Sequence, residues 1–122
     1  MKIEKIIELL NGELLTDNID DQKEVAGAMG ADLMSDVLAS ILPEAALLTG
    51  LCNPQVVRTA QIADIRAIIF VRGKYPDLET IKIANAEKIP LITTSYGMFE
   101  ACGILHMEKL PGMETPADNA GI

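Results

Sequence analysis

Tryptophan is absent, and two Tyr and two Phe are the only aromatic residues among 122. A core without large rings must be built from Ile, Leu, Val, Ala and Met, and 49% of the chain is hydrophobic. At this length one domain can hide roughly two thirds of its unfolded surface. Basic residues are also scarce, ten Lys and Arg against eighteen Asp and Glu, for a net charge of −8. Nucleic acid and anionic membrane surfaces need clustered Lys and Arg, so neither is expected as a partner. The two cysteines, Cys52 and Cys102, have no CxxC or Cys/His spacing, so no metal site is expected. Two thiols in a chain with a good core fit a reducing cytosol. No segment approaches the roughly 20 apolar residues of a membrane span. The start, "MKIEKIIELL", interleaves charge with apolar residues and does not read as a signal peptide. A soluble cytoplasmic domain is expected.

What is present is periodic. Ile3, Ile6, Ile7 and Leu10 fall at helical spacing, with Asn11-Gly12 as a stop. "ELL" reads as a short strand. The acidic loop "TDNIDDQKE", with Asp17, Asp20, Asp21 and Glu24, matches no calcium-loop spacing and reads as solvated. "EVAGAMG" (24–30) reads as a second short strand. "DLMSDVLASIL" reads as a helix capped by Asp32, carrying Leu33, Val37, Leu38, Ile41 and Leu42 on one stripe and closed by Pro43. A threefold pattern follows. "AALLT", "RAIIFV" and "IPLIT" are runs apolar on both faces, each leading into a helix, near 54–63, 78–88 and from Met98 into the 105 region. Such runs suit central parallel strands covered on each side, joined by right-handed crossovers. The expected class is α/β: a small, mostly parallel sheet with helices on both faces. One domain is expected over residues 1–110, with 111–122, "PGMETPADNAGI", a disordered and dispensable tail.

The three apolar runs break at "TGLCNP", "VRGKYPD" and "TSYG". In open α/β sheets the carboxyl ends of the strands point one way and ligands bind in the crevice they form. Thr49, Gly50, Cys52, Asn53, Arg72, Gly73, Thr94, Ser95 and Tyr96 are the candidate ligand-binding residues on this basis. Asn53-Pro54 reads as a cap followed by proline at the first helical position. Gly50 and Gly73 permit positive φ or close approach. Arg72 would add a basic fork where helix N-termini favour an anion. Short strand-to-helix turns need the same residues merely to reverse direction, and no Walker A or GxGxxG pattern is present. His106, the sole histidine, reads as a helix C-terminal cation or packed surface residue. Cys52 reads as a small turn residue rather than a thiolate nucleophile. No nucleophile–base–orienter set is found, so no catalytic residue, metal ligand or cofactor is assigned.

From "GAMGADLMSDVLASI" through "IPLITTSYGMFEA", about residues 13 to 106, the sequence resembles the DRTGG domain family. The family's Asp-Arg pair falls on Cys52 and Asn53, and its Thr-Gly-Gly on Val71, Arg72 and Gly73, where only the last glycine is kept. Pro76-Asp77 and "IPLITT" match. "DLMSDV", with Asp32, Ser35 and Asp36, is similar to small stand-alone members that tend to be encoded near iron-only hydrogenase components. The resemblance implies a fold like that of the N-terminal domain of HPr kinase/phosphorylase. It also implies a regulatory, ligand-sensing and dimerising role of the kind such domains have in phosphotransacetylases and CBS-containing pyrophosphatases. The expectation is therefore a non-enzymatic regulatory module that forms a homodimer through "EVAGAMG" and takes a small anionic, nucleotide- or phosphate-like ligand at the strand ends. The alternative is a scaffold with a protein partner and no small-molecule ligand, linked to hydrogenase or phosphotransfer systems.

Overall fold

The computed structural model describes residues 1–17 and 23–116. In chain order the elements are α1 (Ile3–Leu9), β1 (Glu13–Leu14), β2 (Gly27–Gly30), α2 (Met34–Ser40), β3 (Ala45–Thr49), α3 (Pro54–Ala63), β4 (Ala67–Phe70), α4 (Leu78–Glu87), β5 (Leu91–Thr93) and α5 (Met98–Met107). The strands form one sheet in the order β1-β5-β4-β3-β2. β2, β3, β4 and β5 are parallel, while β1 runs antiparallel along β5.

The double-sided strands explain the layering. Ala46, Leu48, Ile69 and Ile92 point to one face and pack with Ile3, Ile6 and Leu10 around α1 and with Ala101 and Leu105 of α5. Leu47, Ile68, Phe70 and Leu91 point to the other and pack with Val37 of α2, Val56, Val57 and Ala60 of α3, and Ala84 of α4. Successive residues alternate between the faces, so a strand covered on both must be apolar throughout. The expected α/β class with helices on both faces is the observed one.

Four sequence expectations change. Asp32 does not cap α2: the helix starts at Met34 after Leu33, which makes no side-chain cap. The apolar stripe of that helix is also misplaced. Met34 and Val37 are buried, whereas Leu33 and Leu38 are 59% and 48% exposed. α2 ends at Ser40, because Ile41 turns extended and bridges Glu114.

The fourth change concerns the tail. Pro111–Thr115 is ordered along the free edge of β2. Ala28 N–H donates to the Pro111 carbonyl at 2.9 Å, and Met113 N–H to the Ala28 carbonyl at 2.9 Å. On the other side Leu42 N–H donates to Met113 O and Thr115 N–H to Ser40 O, both at 2.8 Å. Backbone groups of an otherwise unpaired strand edge supply the driving force, which no apolar periodicity in the tail announces. The "EVAGAMG" edge expected to meet a second subunit thus carries the chain's own strap. Asp20, Asp21 and residues 117–122 lie outside the described residues.

Candidate functional site

The carboxyl ends of β2, β3, β4 and β5 lie side by side in that order, so the turns that follow them form a row. Asp32 follows β2, Thr49 closes β3, Arg72 follows β4 and Tyr96 follows β5. Hydrogen bonds tie the row together. Asp32 Oδ1 accepts from Gly50 N–H at 2.7 Å and from the Thr49 hydroxyl at 3.1 Å. Arg72 N–H donates to the Tyr96 carbonyl at 2.7 Å, and Gly73 N–H to the Thr94 carbonyl at 2.8 Å. The three interrupted stretches therefore do meet in space.

The turn after β4 is unusual. Arg72 and Gly73 both have positive φ, 60° and 68°, and Lys74 N–H closes the turn on Val71 O at 3.3 Å. Consecutive left-handed residues mark the mirror-image type I turn. Glycine adopts this conformation freely; arginine does so at a cost of about 1–2 kcal/mol. Of the other non-glycine residues with positive φ, Asp64 and Lys88 are helix C-caps. Arg72 is instead held at a strand end by its bond to Tyr96. Its side chain runs back over the neighbouring turn, bringing Nη2 within 3.3 Å of where a Cβ on Gly50 would sit. Among the described residues the guanidinium has no hydrogen bond or ion pair.

Several candidates serve the scaffold. Thr49 and Thr94 are buried. The Thr94 hydroxyl donates to Leu10 O at 2.7 Å, tying the end of β5 to the end of α1. The backbone N–H groups of Leu51 and Tyr96 are taken by the hydroxyls of Thr49 and Thr94. Asn53 caps α3 by accepting from Gln55 N–H at 3.0 Å, with Pro54 at the first helical position. The Cys52 thiol donates to Gly50 O at 3.4 Å. Burial pushes that thiol up from its ordinary value, only partly opposed by Lys74, so it is a poor thiolate. Burial likewise raises Cys102, with Glu114 adding to it. Tyr96 is half-buried and its hydroxyl accepts from Asn11 at 3.4 Å. Ser95 is exposed. The N–H groups of Gly50, Leu51, Gln55, Arg72, Gly73 and Tyr96 are thus spent within the turns, whereas α5 starts after Gly97 without a side-chain cap. The exposed Arg72 side chain is a donor of the row that has no partner among the described residues.

Asp77 does not pair with Arg72. Its carboxylate accepts from the backbone N–H and hydroxyl of Thr80, both at 2.8 Å, which holds it below the usual carboxylate range. Sequence reasoning missed Asp32 as a member of the row, because an aspartate two residues before a helix looks like its cap.

Two hollows lie elsewhere. One of about 760 Å³ sits at the opposite end of the sheet, lined by Lys23, Gln61, Asp64, Arg66, Lys88 and Pro90. Its charges are mixed, Arg66 is committed to Glu44 at 2.9 Å, and the ends of α3 and α4 turn carbonyls toward it. The other, about 370 Å³, is an apolar groove between α5 and the strap, including Met29, Phe99, Cys102, Leu105 and Leu110. In the row, by contrast, hydrogen bonds link four successive turns, and the Arg72 guanidinium has no partner among the described residues.

The model of the DRTGG domain matches residues 5–107. The chain belongs to the DRTGG domain family. No curated protein matches it at a significant level. Among solved structures it is similar to the CBS and DRTGG domains of the regulatory region of Clostridium perfringens pyrophosphatase, complexed with the activator diadenosine tetraphosphate. The TM-score is 0.73 at 21% identity, covering 97% of this chain and 51% of that one. This DRTGG domain thus spans about half the length of that structure, and the likeness is one of fold.

Proposed function

We propose that this DRTGG domain is a regulatory, non-catalytic module that binds a small phosphate-bearing ligand at the carboxyl ends of its parallel strands and self-associates. The observation that carries the reading is Arg72: a left-handed residue, fixed by its own N–H, whose guanidinium crosses the Gly50 turn without a partner among the described residues. Strain kept at a strand end and spent on presenting a bidentate donor is what anion recognition uses. The ligand class agrees with the phosphate-rich activator bound by the similar pyrophosphatase region. The non-catalytic reading is supported by the two raised thiols and by His106, which lies in the last turn of α5, a helix length from the row.

The test is a thermal-shift screen of wild-type and Arg72→Ala protein against pyrophosphate, acyl phosphates, nucleotides and polyphosphates. A ligand at about 100 times its Kd should stabilise the wild type by about 2.7 kcal/mol. The variant should bind about tenfold or more weakly, since a charge-assisted hydrogen bond is worth about 1.5–3 kcal/mol. Equal shifts for the two proteins would remove Arg72 from the site.

A second reading, an interaction domain without a small ligand, has its own observation. Phe99 is 94% exposed and Met107 85% exposed, both on α5, and Phe99 borders the apolar groove. A screen without hits, together with a mass of twice 13.1 kDa by light scattering, would favour it.

A further inference from the structure

Gly50 is a gap between two charged groups. A Cβ built there would lie 3.3 Å from Arg72 Nη2, 3.5 Å from Asp32 Oδ1 and 3.9 Å from Asp32 Oδ2. The guanidinium and the carboxylate therefore bracket bare backbone, yet they do not form an ion pair with each other. Asp32 Oδ1 is saturated by Gly50 N–H and the Thr49 hydroxyl. Oδ2 has no partner among the described residues. Arginine can only donate and an ionised carboxylate can only accept. A ligand filling the gap must therefore bring an acceptor for one side and a donor for the other.

Inorganic phosphate carries a P–OH donor at neutral pH, so it can meet both sides only by holding its own charge directly against the carboxylate. That like-charge approach is unfavourable. An ester whose alcohol part carries hydroxyls meets both sides without it. Resting on the phosphate reading above, we infer that the site selects a hydroxyl-bearing phosphate monoester, ribose phosphate in chemistry, with Arg72 on the phosphate and Asp32 Oδ2 accepting from a sugar hydroxyl. Asp32 is thereby the residue that sets specificity, while its Oδ1 positions the turn.

The experiment is an NMR titration following the Gly50 amide and the Arg72 Nε–H, with inorganic phosphate, ribose 5-phosphate, AMP and phosphoethanolamine as probes. Ribose 5-phosphate should bind wild type at least about fivefold more tightly than inorganic phosphate. Asp32→Asn keeps the Oδ1 acceptor but removes the charge. It should bind inorganic phosphate more tightly than wild type does and shrink the preference for the sugar ester toward one. Gly50→Ala should weaken both probes several-fold, with its melting temperature close to wild type. Gly50 is not among the positive-φ residues, and the nearest atom to the new methyl is the tip of a flexible side chain.

AMP binding no tighter than ribose 5-phosphate would support the proposal with the sugar phosphate as the whole determinant. Tighter AMP would support it with a nucleotide as the source. A preference that is absent in wild type, or that survives in Asp32→Asn, overturns it and leaves the phosphate reading standing. Tighter phosphoethanolamine than ribose 5-phosphate also overturns it, in favour of an ammonium partner for Asp32. No Arg72-dependent binding of any probe overturns both.

Discussion

Arg72 pays for its conformation, and that makes a signed expectation at the residue scale. Replacing Arg72 with Gly removes the left-handed penalty while keeping the turn, so stability in urea should stay level or rise by up to about 1 kcal/mol. Phosphate binding should be lost in the same protein. A residue kept only for folding would not show that opposition. Asp77 behaves in the reverse manner. Its carboxylate is held below the ordinary range by the Thr80 N–H and hydroxyl. A depressed folded-state pKa contributes stability above the ordinary carboxylate pKa, and that contribution is lost as pH falls through the folded value. Asp77→Asn should therefore flatten the acid side of the stability profile, read as thermal midpoints between neutral pH and about pH 3. Unchanged acid dependence would mean that other carboxylates dominate it.

Among the elements, the strap of Pro111–Thr115 has the clearest consequence. Its backbone bonds to β2 and to the end of α2, at about 0.5–1.5 kcal/mol each, are lost together if the chain stops at Leu110. The truncated protein should melt several degrees lower, not within the narrow margin expected of a free tail. Gly27 lies under the strap. A Cβ there would approach Met113 Cγ to 2.1 Å and Pro111 O to 2.4 Å. Gly27→Ala should destabilise the full chain markedly and cost far less in the chain ending at Leu110. That double-mutant comparison isolates the contact from any intrinsic effect of alanine in a strand. Equal costs in the two backgrounds would show that the strap does not rest on Gly27 in solution.

At the scale of the whole molecule, apolar surface is left over. Mean hydropathy is +0.25, and Phe99, Met107, Ile62 and Leu78 all remain largely exposed. The β2 edge is occupied by the strap, so the proposed self-association should run through the α5 side. A Phe99→Glu, Met107→Glu double variant should then return the mass of a single 13.1 kDa chain by light scattering, with melting little changed because neither side chain is in the core. Persistent association would move the interface to the exposed residues of α3 and α4.

The sequence by itself determined the layers and the direction of the sheet. "AALLT", "RAIIFV" and "IPLIT" are apolar at every position, and only a strand covered on both faces requires that. Their interrupted ends announced the turns, and Asn53 caps ahead of Pro54 as its position suggests because capping is local chemistry. Tertiary structure decided the rest. Asp32 lies two residues before a helix, yet its carboxylate serves the next strand's turn, because parallel pairing sets Gly30 beside Leu48. Arg72 is left-handed because the turn after β5 presents the Tyr96 carbonyl to its N–H, a partner 24 residues away that no local pattern names. The strap has no periodicity to read, since its hold is backbone hydrogen bonding to an edge that exists only once the sheet has formed.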